Sequence, residues 1–284
     1  MLWNDVKYCI LLSNLLFKGG MKRVFESQDG MNKYFNLKIL NHSSQKSEKE
    51  LYAKMHELFI QYHCGTIGDY IKSRKSRSTI RWNEITSLLE NTNITLRKDA
   101  DYLDFGAGDC SMSYLLGKRI VQSEDADEIK KHVFAIDIQD WSGSLPEYNI
   151  YRKKCRFSTY DSLPLPYTDD KFDIISVFQV LHHIEHLEET LNELYRITSD
   201  GGYLLVREHD CKSKKMRKLI EIEHILHDLV FKENVNHNET FSHYRSRKDL
   251  KKIIQSSGFK WLGKYHPTDV YWNPTNFYYE IYQK

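Results

Sequence analysis

The chain has 284 residues, 40% of them hydrophobic and 28% charged, which suits one large globular domain or a domain with an extension. The formal net charge is only +2, so overall charge demands neither a nucleic-acid nor a membrane partner. Five scattered cysteines without a C-x-x-C pair argue against a disulfide framework or a zinc knuckle, and they predict a reducing compartment, the cytoplasm.

The N-terminal third of the chain is predicted to be helical. Residues 8–17 are fairly apolar, but a membrane helix needs about 20 residues, and no small-residue cleavage site follows them. A buried helix is therefore expected there, with neither a signal peptide nor a membrane span. Apolar residues recur at helical spacing over residues 48–63, and again from Ile80 to Leu89.

From residue 98 onward, strand and helix patterns alternate. Strands are predicted at residues 102–105, 132–138, 172–180, 203–207 and 277–282, and helices at residues 111–120, 187–197, 219–229 and 250–254. This alternation predicts an α/β fold, a mainly parallel sheet with helices on both faces. The chain thus divides into a helical N-terminal extension, residues 1–97, and an α/β domain, residues 98–284.

The first candidate binding feature is the loop Asp104 to Asp109, which follows the first of these strands. In such sheets ligands bind beyond the carboxyl ends of the strands. Gly106 and Gly108 let the backbone turn sharply and approach a ligand closely, and the N–H groups of the following helix can bind polar atoms. A dinucleotide fingerprint would place a third glycine at Ser111, so pyrophosphate binding is disfavoured. Taken alone, the loop could equally be an ordinary strand-to-helix turn.

Two aspartates follow later strands. Asp137 ends the next strand, where its carboxylate can accept hydrogen bonds from both hydroxyls of a ribose; the alternative is a local cap. Asp161 follows the third strand, where it can accept a hydrogen bond from an exocyclic amine such as that of adenine; the alternative is an Asx-turn. Together with Gly106, these residues favour a nucleoside-type ligand.

This combination resembles the class I S-adenosylmethionine-dependent methyltransferase family, in particular its small "methyltransferase domain" branch. The resemblance covers residues 98–210 well and extends more loosely to residue 284. Residues 172–184, FDIISVFQVLHHI, look very like the fourth strand of that family. The resemblance implies a Rossmann-like, mainly parallel seven-stranded sheet and S-adenosyl-L-methionine as the cofactor. Cys110 departs from the pattern, since many members carry a third glycine at that position.

The resemblance also implies a set of cofactor-binding residues. These are Asp104, Gly106, Gly108, Asp137, Ile138, Asp161, Ser162 and Gln179. Asp104 and the two glycines would cradle the methionine part, Asp137 would bind the ribose, and Asp161 the adenine. Ile138 would pack on the adenine face, and Gln179 would line the floor of the pocket.

Candidate catalytic residues lie after the fourth and fifth strands. Methyl transfer from a sulfonium is an in-line displacement, which needs a general base only if the acceptor must lose a proton. Glu208, His209 and Asp210 at the end of the fifth strand are candidates, and so is His182 after the fourth. Arg207 could bind an anionic acceptor group. The sequence HHIEH at residues 182–186 lacks the H-E-x-x-H spacing, so no metal is expected.

The acceptor stays open at this point. Three basic clusters, at residues 72–81, 212–218 and 245–252, could follow a phosphate backbone or could be solvated helix faces. The acceptor is therefore a nucleic acid such as RNA, a small molecule or a protein. The alternative function is a non-catalytic subunit that keeps the methyltransferase fold and binds RNA or protein, against which the intact glycines and aspartates argue.

Overall fold

The computed structural model describes residues 67–140, 149–213, 217, 220, 243–267 and 277–284. The chain divides into two compact units, and the unit treated below comprises Ile67–Asp210, Ser242–Pro267 and Phe277–Lys284. The helices predicted at residues 8–17, 48–63 and 219–229 lie outside the described residues, apart from residue 220. Among the described residues, no helix is both long and apolar enough to cross a bilayer.

The helices and strands follow the predicted alternation. They are α1 (Ile67–Asn91), β1 (Tyr102–Phe105), α2 (Ser111–Ile120), α3 (Ala126–His132), β2 (Val133–Asp137), α4 (Asn149–Arg152), β3 (Arg156–Thr159), β4 (Phe172–Phe178), α5 (Leu187–Ile197), β5 (Thr198–His209), α6 (Arg247–Ser256), β6 (Lys260–Tyr265) and β7 (Phe277–Gln283). A short 3-10 helix, Leu181–His183, follows β4. The predictions for β1, α2 and α5 match the observed bounds.

The seven strands in the described residues form one sheet in the order β3-β2-β1-β4-β5-β7-β6. Strands β1 to β5 run parallel to one another, whereas β7 is antiparallel to both β5 and β6. The predicted mainly parallel seven-stranded sheet is therefore confirmed. Asp104 of β1 lies opposite Ser176 of β4. The strand order reverses between these two strands, and the carboxyl ends next to such a reversal are where open α/β sheets bind ligands.

Helices cover both faces of the sheet, as predicted. On one face, α1 and α2 contribute side chains such as Leu88 to a core that includes Tyr102 of β1. On the other face, Leu191 of α5 and Ile254 of α6 join a core that includes Leu103. Tyr102 and Leu103 are neighbours in sequence but belong to different cores, because successive residues of a strand point to opposite faces.

Two local features differ from the pattern-based expectation. Residues 200–202, which resemble a turn, lie within β5, where Gly201 adopts a φ of +77° and the register with β4 shifts between Phe172 and Ile174. An irregularity of this kind lets a strand accommodate an extra residue. Strand β3 has no clear signal in the sequence because it is a partly exposed edge strand without a continuous apolar run.

Candidate active site

The loop between β1 and α2 turns at two glycines with positive φ, +80° at Gly106 and +53° at Gly108. The N–H of Gly106 donates to the carbonyl oxygen of Ile136 at 2.9 Å, which ties the loop to β2. A Cβ on Gly106 would lie 2.2 Å from Cγ2 of Val180, so no larger residue fits there without displacing that side chain. A Cβ on Gly108 would meet no atom of the described residues within 4 Å, so the added methyl group has room on that side.

Cys110 occupies the position where many members of the resembled family carry a third glycine. Its φ is +56°, and it precedes the first residue of α2. The cysteine therefore adopts the left-handed conformation that glycine favours, and the turn is kept despite the substitution. Burial raises the pKa of the Cys110 thiol well above its usual range, so this side chain stays a neutral thiol.

Asp104 is buried in β1 and is 3% exposed. Its Oδ1 accepts a hydrogen bond from Ser176 Oγ and its Oδ2 accepts one from Ser113 Oγ, both at 2.7 Å. Burial raises the pKa of Asp104 to about 6, although these two hydrogen bonds and the charge of Arg81 oppose the rise. The carboxylate thus joins β1, β4 and α2 beneath the glycine loop.

Asp137 and Ile138 lie side by side at the carboxyl end of β2. Asp137 is 7% exposed, and its Oδ2 accepts a hydrogen bond from the N–H of Gly108 at 2.8 Å. Ile138 is 62% exposed and adds an apolar surface next to Asp137. The Asp137 carboxylate, which can accept hydrogen bonds from hydroxyl groups, therefore lies next to the exposed apolar side chain of Ile138. A ribose joined to a flat base would need this combination.

The third predicted acidic position follows the neighbouring edge strand. Thr159 at the end of β3 pairs with Asp137, and the N–H of Tyr160 donates to the carbonyl oxygen of Asp137 at 3.1 Å. Asp161 and Ser162 come next and are exposed. The structure therefore brings the Asp161 loop to the same edge of the sheet as Asp137.

Gln179 and His209 join the ends of β4 and β5. Gln179 has a φ of +60°, and its N–H donates to the carbonyl oxygen of Arg207 at 2.7 Å. Its side-chain amide donates to Nε2 of His209 at 2.9 Å. A residue predicted to line the cofactor pocket thus contacts a predicted catalytic residue.

Two further predicted catalytic residues form a buried pair. Nδ1 of His182 donates to Oε1 of Glu208 at 2.7 Å, and the two residues are 2% and 3% exposed. The same carboxylate oxygen accepts the backbone N–H of His209 at 2.8 Å. The His182 ring stacks on Tyr244, with centroids 5.1 Å apart. His182, Glu208 and His209 therefore lie in one cluster.

No group of three or more His, Cys, Asp and Glu side chains within the described ranges is arranged to hold a metal ion. The rings of His182 and His183 lie 4.1 Å apart, but Nδ1 of His182 is directed at Glu208. His182 therefore belongs to a hydrogen-bonded cluster at the end of β4, and the ring of His183 lies beside it.

Arg81 and Arg207 form a feature that the sequence did not connect. The guanidinium of Arg81, on α1, lies 5.7 Å from the ring centroid of Phe178. That of Arg207, on β5, lies 3.9 Å from the ring centroid of Phe277. Phe178 is the strand partner of Arg207, so Arg81 lies over the residue next to Arg207 in the sheet. Burial and then repulsion by Arg207 lower the pKa of Arg81 to about 10. The sequence places Arg81 in the basic cluster at residues 72–81. The packing of α1 brings its side chain to Phe178 at the carboxyl end of β4.

Comparison with protein families gives a match over more than half of the chain. Residues 78–262 match the family described as "Methyltransferase domain". The match begins within α1 and ends within β6, so it includes every site residue that the sequence predicted. The resemblance inferred from the sequence is confirmed by this family.

Curated relatives align over shorter segments. A mitochondrial 2-methoxy-6-polyprenyl-1,4-benzoquinol methylase of Xenopus laevis is 25% identical over 108 residues, which are 35% of this chain and 35% of that protein. A demethylmenaquinone methyltransferase of Streptomyces griseus is 36% identical over 52 residues, 18% of this chain and 23% of the relative. The chain thus spans about a third or less of the length of these relatives.

Solved structures include a methyltransferase of Methanosarcina mazei described as S-adenosylmethionine-dependent. It is 18% identical, with a TM-score of 0.47, and the alignment covers 66% of this chain and 94% of that one.

Proposed function

The chain belongs to the methyltransferase-domain family, in the S-adenosylmethionine-dependent class, and we propose that it methylates a small-molecule acceptor. The observation that carries the cofactor-dependent part of this proposal is the hydrogen bond from Gly108 to Asp137 beside the exposed Ile138, and the partners of the basic side chains carry the acceptor class. The cofactor supplies a methyl group made electrophilic by a sulfonium. Transfer would bond the lone pair of the acceptor to this methyl carbon as the carbon–sulfur bond breaks, with the electron pair of that bond left on sulfur. Any proton lost by the acceptor passes to a base or to solvent.

The side chains at the strand ends support the proposed cofactor contacts. Asp137 is fixed by the glycine loop, so its carboxylate is positioned to accept hydrogen bonds from the ribose hydroxyls. Ile138 offers the exposed apolar surface for the adenine face, and the exposed Asp161 and Ser162 would bind its amine edge. The absence of a side chain at Gly106 and Gly108 leaves room for the methionine part, with Asp104 and Gln179 below it.

His209 is the proposed general base where the acceptor must lose a proton. It ends β5 beside Gln179, whose side-chain amide donates to Nε2, so Nε2 can accept a proton only when this hydrogen bond is released. The buried Glu208 and His182 would act as positioning residues, because Glu208 holds the backbone N–H of His209. If H209N loses methyl transfer in a pH-dependent way and H182N does not, His209 is the general base and His182 a positioning residue.

The basic clusters support a small molecule over a polynucleotide. Arg247 is paired with the fully buried Glu280 at 2.7 Å, and the ammonium of Lys251 lies 3.4 Å from the ring centroid of Trp261. Arg74 is paired with Asp109 at 2.7 Å. These cations have partners inside the fold and are less available to a phosphate backbone. The two relatives, which align only over short segments, are named as a benzoquinol methylase and a demethylmenaquinone methyltransferase.

Two experiments test this function. Calorimetric titration of the full chain with S-adenosylhomocysteine should give binding, and no heat at millimolar concentrations would leave the non-catalytic fold as the better account. Transfer of labelled methyl groups should then be measured to four pools: small metabolites, RNA, DNA and protein. We expect label in the small-metabolite pool, and label in RNA alone would overturn the acceptor class.

The division of the chain and its cellular compartment are also proposals. We propose that the chain consists of an N-terminal extension, residues 1–97, and a methyltransferase domain, residues 98–284. The free thiols of Cys110 and Cys155 support a reducing compartment such as the cytoplasm.

A further inference from the structure

Arg207 is a buried cation without a carboxylate partner among the described residues. It is 8% exposed, and its Nε and Nη1 atoms are shielded from solvent without a hydrogen-bond acceptor in that part of the chain. Arg81, which is partly buried, likewise forms no ion pair within the described residues. A buried charge without a partner is costly, so a cation kept in such a place has an anion as its natural counterpart.

Both guanidinium groups lie on one aromatic floor, which consists of Phe178, Tyr279 and Phe277. Arg207 pairs with Phe178 on one side and with Tyr279 on the other in the sheet. The rings of Phe178 and Tyr279 are 6.1 Å apart, and those of Phe277 and Tyr279 are 6.4 Å apart. The rings hold the guanidinium planes by cation–π contact without neutralising their charge.

Three carboxylates of the surrounding elements are already engaged. Glu84 accepts a hydrogen bond from the Tyr279 hydroxyl at 2.6 Å, and Asp109 is paired with Arg74 at 2.7 Å. Asp104 accepts hydrogen bonds from two serines, and burial raises its pKa to about 6. Burial is the main cause of the lowered pKa of Arg81, and repulsion by Arg207 adds to it.

The position of this site relates it to the reaction. The carbonyl oxygen of Arg207 accepts the N–H of Gln179, and the side chain of Gln179 contacts His209. An anion held by Arg207 would therefore have the rest of its molecule beside the proposed general base and the floor of the cofactor pocket. We propose that the methyl acceptor is a small anion, a carboxylate or a phosphate monoester, whose charged group binds Arg81 and Arg207 while its apolar body packs on the aromatic floor. This inference rests on the proposed methyl-transfer function.

The first test compares anions with a neutral molecule of the same shape. The full chain, saturated with S-adenosylhomocysteine, is titrated in the calorimeter with benzoate, phenyl phosphate and benzamide. We expect benzoate or phenyl phosphate to bind at least about tenfold more tightly than benzamide, since a charge-assisted bond to arginine is lost in the amide. Equal affinities for all three, or no binding of either anion at millimolar concentrations, would overturn the proposal. The better of the two anions identifies the charged group.

The second test uses arginine variants. R207M and R81M should each lower the affinity for the better anion by about tenfold, whereas R207K should keep part of it. R97M is the matched control. The largely exposed Arg97 pairs with Asp173 at the start of β4, away from the carboxyl ends of the strands. Anion affinities in R207M and R81M equal to that of R97M would contradict the assignment. If R207M does not fold, the anion affinity of R81M and the comparison of anions with benzamide in the wild type still test the proposal.

The third test separates the acceptor from the cofactor, whose methionine part also carries a carboxylate. S-adenosylhomocysteine and 5′-methylthioadenosine share the adenosine, but only the first has that carboxylate. R207M should leave the ratio of their affinities unchanged; if it instead removes the preference for S-adenosylhomocysteine, Arg207 binds the cofactor and the proposal is wrong. Failure of the wild-type chain to bind either nucleoside would refute the proposed function, while the benzoate-to-benzamide ratio, measured without cofactor, would still report on the anion site.

Discussion

Gly108 and Asp137 are joined by a hydrogen bond of 2.8 Å from the glycine N–H to Oδ2 of the carboxylate. The bond fixes the glycine loop of β1 to the end of β2, so loop shape and carboxylate position depend on each other. Two residues that the sequence offers as separate binding candidates therefore act as one structural unit at the carboxyl edge of the sheet.

Removing the Asp137 carboxylate should weaken cofactor binding. D137A is expected to lower the affinity for S-adenosylhomocysteine by about 10- to 100-fold, because charge-assisted hydrogen bonds to the ribose and to the loop are lost together. Calorimetric titration measures the change. D200N, which alters an exposed aspartate near the start of β5, is the control and should bind like the wild type. A D137A affinity within twofold of the control would exclude Asp137 from the site.

The two loop glycines should differ in their tolerance of alanine. At Gly106 the added Cβ meets Val180 at 2.2 Å and the φ is +80°, so overpacking adds to backbone strain. At Gly108 there is open space, and only the positive φ opposes the change. We expect G106A to lower the free energy of unfolding by about 3 kcal/mol and G108A by about 1 kcal/mol, measured with urea. V180A should restore part of the stability of G106A, and equal losses in G106A and G108A would argue against the steric explanation.

Asp104 should make the stability of the protein depend on pH. Its folded-state pKa of about 6 exceeds the ordinary value of 3.8, so the folded state binds the proton more tightly than the unfolded state. Stability from this group is present at low pH and is lost as the pH rises from about 4 through about 6, a change of about 3 kcal/mol.

Comparison of D104N with the wild type isolates this effect, since the other titrating groups are shared. The unfolding free energy of D104N relative to the wild type should rise across that pH range, measured with urea at several pH values. D99N, at an exposed position, should follow the wild type throughout. Parallel curves for D104N and the wild type would show that burial does not shift this carboxyl.

Arg247 should be a structural residue, in spite of its place in a basic cluster. Its Nη1 lies 2.7 Å from Oε1 of Glu280, which is fully buried and also accepts from Trp261 and Tyr282. R247M should lower the free energy of unfolding by about 3 kcal/mol or more, because a buried carboxylate loses its cation. K248M, at an exposed neighbouring position, should stay within about 0.5 kcal/mol of the wild type. A small loss in R247M would reopen a role for this cluster in nucleic-acid binding.

Much of the sheet could be predicted because its signals are local. The apolar run of β4 and the helical spacing of Leu187, Leu191 and Leu194 report burial over one segment at a time, and the structure reproduces these elements. Strand β3 could not be bounded, since an edge strand with partly exposed residues carries little periodic signal.

The sequence by itself determined the alternating α/β order, the glycine loop and the acidic residue at the end of β2, because backbone freedom and periodicity are properties of neighbouring residues. Only the tertiary structure decided which side chains meet. Gln179 reaches His209 because β4 and β5 lie next to each other in the sheet, and Glu208 meets His182 at the same strand ends. Arg81 comes close to Arg207 because α1 packs on the face of the sheet to which β5 presents that residue. Such proximities depend on strand register and helix packing, which no single segment encodes.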